Sequence, residues 1–543
     1  MKSTLTALAL GCAMAVCGNG ALAQSVHAAW AQIMGSDGPV QKTGGEMPLN
    51  LSLRVVTDQA TDCTGFTLAA RIPGLTEALV RPTWTPRHNR PGFGFDAVTV
   101  CQTDMNEDWD QVRLLASDGT TAITTNDGTD VVLAGAGRRT TAVPQFVVFG
   151  DTGCRGFGNA RGSQDCSANS TGTGTRFLFE KIAAQAMATA PDLVIHLGDY
   201  RYDTERTKDW DKWNSDFFSR VASGALMQVP WAFVRGNHER CDRAGHGWYY
   251  FFGPNDDKIT CIGDDPRLIK SWYFDLRDSR ASNAAAPHRF VFVGTSPTID
   301  KPSEHAENLA LDAKSLAEAQ MRFEQRQAVE KVDLWSREVA EFSQALAWAN
   351  EVTAAGEQIG TWLVMHKPIW GLDTSGRYPR RVDPLVGAAF EDAVEKIQGT
   401  PCAPYQHDAC GLKAVLAAHE HMMTNVVFSA AALPQQYVVG MSGVRLDNPP
   451  GAVDGDGLSM GGCRHDMSGL HMAQNVEGIA AEYRGRLSGT SGNDAFGFVQ
   501  FTRDSDEPSG WAGTAIYVDK KAQTLRNGLN IGPASNFQDC RVP

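Results

Sequence analysis

Five short polar motifs bring together the side-chain types that bind metal ions in proteins. In chain order they are Asp151-Thr152-Gly153, Asp199-Tyr200-Arg201-Tyr202, Asn237-His238-Glu239, His366-Lys367 and His419-Glu420-His421. Their carboxylate, amide, phenol and imidazole groups suit hard or borderline metals such as iron, zinc or manganese. One motif alone is weak evidence, because an aspartate after a strand is usually a turn residue or a helix cap. Five in one chain indicate a common metal centre.

The elements that carry these motifs are short apolar runs, each of which predicts a buried strand. The runs occupy residues 143–150, 192–197, 230–235, 361–365 and 412–417. Helical spacing over 176–188, between the first two runs, predicts a parallel βαβ unit. Loops at the carboxyl ends of such strands form the sites of α/β proteins. We therefore expect an α/β fold whose strand-end loops hold the metal ligands.

The rest of the chain divides into an all-β part and further α/β elements. Residues 289–294, 436–439, 496–502 and 514–518 predict additional strands, and residues 309–353 predict a charged helical insertion. Before residue 141, short runs at 47–58, 66–70, 97–102, 111–115 and 130–133 predict strands without helices. We expect a small β domain at 24–142, arranged as a sandwich, and a second domain at 143–543.

The N-terminus has the pattern of an export signal. Lys2 is followed by an apolar run over 5–16, and Ala21-Leu22-Ala23 is a cleavage site, so residues 1–23 are expected to be removed. The run is too short to span a membrane, and no later stretch is long and apolar enough to form a transmembrane anchor. The chain is therefore predicted to be periplasmic or secreted.

Cysteine usage agrees with export. Of the 12 cysteines, Cys12 and Cys17 lie in the signal, and an even number remains, which indicates disulfide bonds in an exported chain. Connectivity does not follow from sequence, but neighbours in the chain suggest the pairs Cys63–Cys101, Cys154–Cys166, Cys241–Cys261, Cys402–Cys410 and Cys463–Cys540. No C-x-x-C pair occurs, which disfavours a zinc site built from cysteines.

The overall charge excludes some partners. The 543 residues carry a formal net charge of -13. Such a chain repels nucleic acids and anionic membranes at long range. Attraction for an anionic substrate must come locally, from metal ions and a few arginine or lysine side chains.

The five motifs, in this order, resemble the calcineurin-like metallophosphoesterase superfamily and, within it, the purple acid phosphatase branch. In the wider superfamily the first motif is Asp-x-His, whereas here position 153 is glycine. In the purple branch the motif is Asp-x-Gly, and a tyrosine three residues after the bridging aspartate replaces the histidine. This chain has both Gly153 and Tyr202. The resemblance implies a two-sheet sandwich flanked by helices, of α/β/β/α type, as the catalytic domain.

The resemblance also implies which residues hold two metal ions. The first metal is expected to bind Asp151, Asp199, Tyr202 and His421, and the second Asp199, Asn237, His366 and His419. Tyrosine has an ordinary pKa of about 10, so it binds near neutral pH only where a strong Lewis acid removes its proton. Ferric iron is therefore implied at the first position, and iron, zinc or manganese at the second. One departure from the family pattern is Ala418, where a glycine is usual; its methyl group disfavours positive φ and could tilt His419.

Two such metals imply hydrolysis of a phosphoester by a metal-bound hydroxide. His238 is the expected catalytic residue, which hydrogen-bonds the phosphate or protonates the leaving alkoxide. Glu239 is expected to hold a ligand or its loop. Arg201, His246, Arg243 and the arginines of the 370–381 loop are weaker candidates for substrate contacts, with surface or salt-bridge roles as the alternative. His196, inside a strand, is expected to be a core histidine.

Three functions remain open at this point. The preferred one is an exported phosphomonoesterase acting on a small phosphoester. The same metals would serve a phosphodiesterase or nucleotidase, and loop shape decides between them. A degenerate site on a surface-binding protein is the third, and the complete ligand set argues against it. The sequence contains no signal for the natural substrate, the second metal or the oligomeric state.

Overall fold

The chain is described here from a computed structural model. The residues whose structure is described are 25–35, 51–58, 63–72, 74–89, 94–105, 109–134, 144–156, 164–166, 175–202, 209–221, 223–244, 246–254, 270–278, 285–296, 334–353, 356–370, 372–373, 380–381, 384–396, 411–421, 423–428, 434–444, 481–486, 496–504, 506, 509–518 and 525–530. The predicted export signal at 1–23 and most of the predicted helical insertion at 309–353 lie outside them.

Most of the described elements are strands. They are β1 Val26–Ile33, β2 Leu51–Asp58, β3 Phe66–Arg71, β4 Ala78–Val80, β5 Thr85–Pro86, β6 Val98–Met105, β7 Gln111–Ala116, β8 Val132–Ala134, β9 Gln145–Phe149, β10 Gln164–Asp165, β11 Thr175–Arg176, β12 Leu193–His196, β13 Trp231–Phe233, β14 Trp272–Asp278, β15 Ala285–Phe292, β16 Gly360–Val364, β17 Leu372–Asp373, β18 Arg380–Arg381, β19 Leu412–Ala417, β20 Met423–Phe428, β21 Gln435–Val439, β22 Ala481–Arg486, β23 Gly497–Arg503, β24 Trp511–Val518 and β25 Leu525–Asn530.

The helices are fewer and mostly short. They are α1 Phe179–Ala188, α2 Trp210–Trp213, α3 Ser219–Val221, α4 Ser223–Gln228, α5 Cys241–Ala244, α6 Gly247–Phe251, α7 Leu334–Ala349 and α8 Pro384–Lys396, with 3-10 turns at Cys63–Gly65 and Asn237–Glu239 and a π turn at Asn214–Phe218. No helix in the described ranges is long and apolar enough to cross a membrane.

Two large sheets form the centre of the molecule. The first has the strand order β25-β24-β23-β9-β12-β13-β1-β2-β6-β5, and the second has the order β14-β15-β16-β19-β21-β20-β22. In the first sheet β9, β12 and β13 are parallel, and in the second β15, β16, β19 and β21 are parallel. Strands β9, β12 and β16 are mostly apolar and almost entirely buried, as expected where a parallel sheet is covered on both faces.

Aromatic side chains join the two sheets. Phe146 of β9 lies 5.3 Å from Phe290 of β15 and 6.0 Å from Trp362 of β16, centroid to centroid. Helix α1 contacts the first sheet through β23, and α7 contacts the second through β15 and β16. This arrangement confirms the predicted α/β/β/α sandwich.

The N-terminal region is built from strands, as predicted. Strands β1, β2, β6 and β5 extend the first sheet, where β1 meets β13 through the parallel pair Gln32 and Trp231. Strands β4-β3-β7-β8 form a separate sheet. No α-helix occurs in the part described before residue 144. The boundary between a 24–142 domain and a 143–543 domain stays a prediction.

Two of the predicted disulfides are present in the described residues. Cys63 pairs with Cys101 and ties the segment before β3 to β6, which joins the two N-terminal sheets. Cys154, three residues after Asp151, pairs with Cys166. The other three predicted pairs involve residues outside the description, namely Cys261, Cys402, Cys410, Cys463 and Cys540.

Candidate metal centre

The seven predicted ligands lie in the loops that follow parallel strands. Those from the first sheet are Asp151 after β9, Asp199 and Tyr202 after β12, and Asn237 after β13. Those from the second sheet are His366 after β16 and His419 and His421 after β19. All are buried except His419, which is half-buried. The carboxyl ends of the two sets of strands meet, so the centre spans both sheets.

One group of ligands surrounds the phenol of Tyr202. Its Oη donates to Oδ1 of Asp151 at 2.5 Å and lies 3.1 Å from Nε2 of His421. Nε2 of His421 is 3.6 Å from Oδ1 of Asp151. These three side chains are the ones predicted, together with Asp199, for the first metal.

The second group surrounds the amide of Asn237. Its Oδ1 lies 2.7 Å from Nε2 of His366 and 3.1 Å from Nδ1 of His419. Nε2 of His366 is also 3.3 Å from Oδ1 of Asp199. Ligand atoms of Asp199, His366 and His419 all lie within 4.8 Å of one another. This is the set predicted for the second metal.

The donor set fits metal ions on the evidence of its own hydrogen bonds. Nδ1 of His366 lies 2.8 Å from the carbonyl oxygen of Leu197, which fixes a proton on Nδ1. Nε2 then faces the Asn237 and Asp199 oxygens, so a cation must lie among them. Burial opposes a charged ring, yet the Asp199 carboxylate raises the pKa of His366 to about 9. A metal ion bound to Nε2 would take the place of a proton on that nitrogen.

Acidic groups crowd together on the Tyr202 side of the centre, and most of them resist ionisation there. Burial and the nearby Asp199 carboxylate raise the pKa of Asp151 to about 7. Burial, then Asp151 and Asp199, hold the pKa of Tyr202 well above its ordinary value. Burial also opposes ionisation of Asp199, but His366 and His238 keep its pKa well below the usual range. Buried carboxylates this close repel one another unless cations neutralise them.

Backbone strain is concentrated at the ligands. Asp151, Asp199 and His419 have φ values of 56°, 58° and 72°, in the left-handed region that non-glycine residues rarely adopt. Ala190 is the other non-glycine residue with positive φ in the described ranges. Ala418 keeps a negative φ, because the left-handed turn falls on His419 one residue later. The alanine at 418 is therefore compatible with this turn.

Close packing explains why position 153 lacks a side chain. A Cβ there would lie 2.6 Å from the backbone nitrogen of Arg201 and 2.6 Å from the backbone oxygen of Tyr200. The Gly153 amide donates to the Asp199 carbonyl at 3.0 Å. The loop with Asp151 therefore lies directly on the loop with Tyr202, and a histidine at 153 would separate them.

Glu239 holds two ligand loops together. Its carboxylate accepts hydrogen bonds from the backbone amides of Asp199, Tyr200 and Arg201 at 2.9, 2.9 and 3.2 Å, and from Gly236 at 3.1 Å. Burial and the Asp199 charge raise its pKa to about 8. The side chain thus holds the two loops together through their backbone amides.

His238 approaches the predicted ligands and is more exposed to solvent than Asp199. Its side chain is 14% exposed, compared with 1% for Asp199, and its Nε2 lies 3.9 Å from Oδ2 of Asp199. Its ring is 4.2 Å from the ring of Tyr202. Nη2 of Arg243 lies 2.7 and 2.8 Å from the two ring nitrogens of His238. This contact between the two side chains was not predicted, because the sequence does not indicate where α5 lies relative to His238.

Three other residues have contacts of their own in the structure, and Arg377 of the 370–381 loop lies outside the described residues. Nε of Arg201 lies 3.6 Å from Oδ2 of Asp216, and the guanidinium lies over Trp213, so the side chain has a structural environment. His246 contacts the carbonyl of His88 at 3.1 Å. His196 contacts the hydroxyl of Thr152 at 2.8 Å and is buried in the core.

Comparison with known proteins agrees with this geometry. The calcineurin-like phosphoesterase family model matches residues 144–423, and the chain belongs to that family. It is therefore a metal-dependent phosphatase of a fold that carries a dinuclear metal site. No curated protein matches.

Among solved structures, the chain is similar to purple acid phosphatase PPD1 from yellow lupin (Lupinus luteus) seeds, with 11% identity, a TM-score of 0.47 and coverage of 94% of this chain and 74% of that one. It is similar to PhoD, with 11% identity, a TM-score of 0.45 and coverage of 94% and 92%. A dimetal phosphatase from Danio rerio has 13% identity and a TM-score of 0.35, with coverage of 72% and 99%.

Proposed function

We propose that this protein is an exported phosphomonoesterase of purple acid phosphatase type. The observation that carries the proposal is the position of Tyr202, whose Oη lies 2.5 Å from Asp151 and 3.1 Å from His421. A phenol buried between a carboxylate and an imidazole is a ligand for a strongly acidic metal ion. Ferric iron is the ion that suits such a donor.

The two groups of side chains would hold the two metals. Asp199 is shared, and the first position has Asp151, Tyr202 and His421 while the second has Asn237, His366 and His419. Iron, zinc or manganese suits the second set. When bound, a metal pair lowers the pKa of water, neutralises the phosphoryl oxygens and fixes the direction of attack.

The protein's own groups supply binding and proton transfer. His238 lies on the exposed side of the ligands, where it can donate a hydrogen bond to a phosphoryl oxygen or a proton to the leaving alkoxide. Such a general acid contributes about 10²–10⁴-fold. Arg243 beside it adds a local cation in a protein whose net charge is -13. A monoester dianion gains more from this cation than a diester monoanion does, which supports monoester hydrolysis.

Export is supported by the N-terminal signal pattern and by the two disulfides of the described residues. A phosphodiesterase or nucleotidase with the same metals is the alternative. It would use the same ligands, and would differ in the loops around them.

A single preparation tests the proposal. The mature protein should bind two metal ions, one of them iron, show a visible absorption band, and hydrolyse p-nitrophenyl phosphate faster than bis(p-nitrophenyl) phosphate. A faster reaction with the diester would favour the alternative. A colourless protein that contains two metals, neither of them iron, would contradict the assignment of Tyr202 as a ligand of ferric iron.

A further inference from the structure

Backbone carbonyls at the end of α6 are bound by side chains of the N-terminal strands. Nε2 of Gln32, on β1, donates to the carbonyl of Phe252 at 2.6 Å. Arg54, on β2, donates from Nη1 to Phe251 at 2.5 Å and from Nη2 to Gly253 at 2.7 Å. These carbonyls have no partners within the helix, because a helix leaves its last turn unsatisfied.

A second arginine completes this contact. Arg87, which follows β5, donates from Nε to the carbonyl of Tyr250 at 2.8 Å and from Nη2 to that of Tyr249 at 2.7 Å. Its Nη2 is also 3.3 Å from the Gly253 carbonyl. Every carbonyl from 249 to 253 is thus bound by Gln32, Arg54 or Arg87, which we call the clamp. All three clamp side chains are buried, and hydrogen bonds from charged donors are the stronger kind.

The other side of the clamped segment packs against the metal-ligand loop. Nε1 of Trp248 donates to the carbonyl of Val234 at 3.3 Å, and Nη1 of Arg235 is hydrogen-bonded to Oη of Tyr249. The ring of Phe252 lies 4.3 Å from that of Phe233. Residues 233–235 lead directly into the Asn237 motif.

The segment is also close in sequence to the groups proposed to meet substrate. Residues 246–253 begin three positions after Arg243, whose guanidinium contacts His238. The loop with His238 and Arg243 is therefore fixed at one end by the Glu239 carboxylate and at the other by the clamp.

We propose that Gln32, Arg54 and Arg87 are positioning residues, through which the N-terminal β region sets the placement of His238 and Arg243 against the metal centre. The role in turnover rests on the proposed function. The N-terminal region would then be part of the catalytic unit and not a separable module. Loss of a clamp residue would free the 240–253 segment while leaving the metal ligands in place.

The test compares Arg87→Gln with Leu114→Ala. Leu114 is a buried residue of β7, in the separate N-terminal sheet, so L114A destabilises the same region without altering the clamp. R87Q should retain two metals and lower kcat for p-nitrophenyl phosphate by about 10–100-fold, since small misplacements of reacting groups cost this much. L114A should lower Tm and leave kcat at 25 °C unchanged. R87K keeps a cation without the planar fork and should recover part of the loss.

A second readout does not depend on activity. Brief trypsin digestion, mapped by mass spectrometry, should cut after Arg240 or Arg243 at least about tenfold faster in R87Q than in the parent or L114A, because local opening controls cleavage. The proposal is overturned if folded R87Q and R87K keep parental kcat and parental cleavage, or if L114A loses as much as R87Q. If the parent hydrolyses no phosphoester, the proposed function fails, and digestion still decides whether the clamp holds the segment.

Discussion

The two sheets contribute different chemistry to the metal centre. Every oxygen donor comes from a loop of the first sheet, and every imidazole comes from a loop of the second. Asp199 and His366 show the contrast, since a buried carboxylate needs a cation, whereas an imidazole binds a cation only in its neutral form. Neither sheet alone presents a complete site. On the proposed ligand assignment, metal binding is linked to docking of the sheets.

The largest effect is expected where one side chain serves both metals. Asp199→Asn keeps the size of the side chain and removes the charge that both positions share. We expect D199N to lose both metals and its activity. The loss should exceed the factor of about 10–100 in metal affinity or activity that follows mutation of a residue that only hydrogen-bonds a ligand. Metal analysis and kcat measure this. The control is Asp192→Asn, which alters a carboxylate just before the same strand, 3.3 Å from the Gln145 amide. Two metals retained in D199N would contradict the assignment.

A comparison of Tyr202 with Tyr200 tests whether the phenol of Tyr202 binds the first metal. Tyr202→Phe removes a ligand, whereas Tyr200→Phe removes a buried hydroxyl that donates to the Val234 carbonyl at 2.9 Å. Y202F should lose the visible absorption band and the first metal, while Asn237, His366 and His419 keep the second. Y200F should keep the band. An unchanged spectrum in Y202F would show that the phenol does not bind the metal.

A smaller effect is expected from the carboxylate that holds the loops. Glu239→Gln places an amide donor against backbone N–H groups that need an acceptor. Metal affinity should fall by about 10–100-fold, as measured by competition with a chelator. Glu341→Gln is the matched control, because Glu341 accepts a backbone amide from Ser271. Equal affinity losses in the two variants would argue against a specific role for Glu239.

The smallest effect concerns the contact between the sheets in acid. His288 of β15 lies 3.3 Å from Nε1 of Trp511 of β24, and burial, then Arg503 and Lys413, lower its pKa to about 3. Because the folded pKa lies below the ordinary value of 6.5, the stability contributed by the neutral ring is complete above about pH 6.5 and is lost as the pH falls toward 3. His288→Gln should reduce the drop in Tm between pH 7 and pH 4 by roughly 2 °C. An equal fall of Tm with pH in the parent protein and in H288Q would contradict this.

The site was more predictable than the surroundings that orient it. Strand-end motifs follow from local pattern, and the 412–417 run coincides with β19. Strand β1, directly after the predicted signal, was not predicted, and neither were β14 and the helices of 210–228. The residues of β1 are apolar on most faces, so their periodicity does not distinguish a strand from a helix.

Some roles depend on distant partners that a sequence does not show. Arg201 was a candidate substrate contact, but the fold of 209–221 brings Asp216 and Trp213 to its side chain. The proton on Nδ1 of His366 is fixed by the Leu197 carbonyl, 169 positions away. A backbone carbonyl has no residue identity, so no motif could have indicated it.

The left-handed turns at Asp151 and Asp199 affect how this fold could diverge. Among residues other than glycine, aspartate and asparagine tolerate that conformation best. Exchange of aspartate for asparagine removes the carboxylate charge from the proposed metal site and leaves the turn intact. A lineage could therefore lose its chemistry in a single mutational step and still inherit a well-formed scaffold, available for new roles.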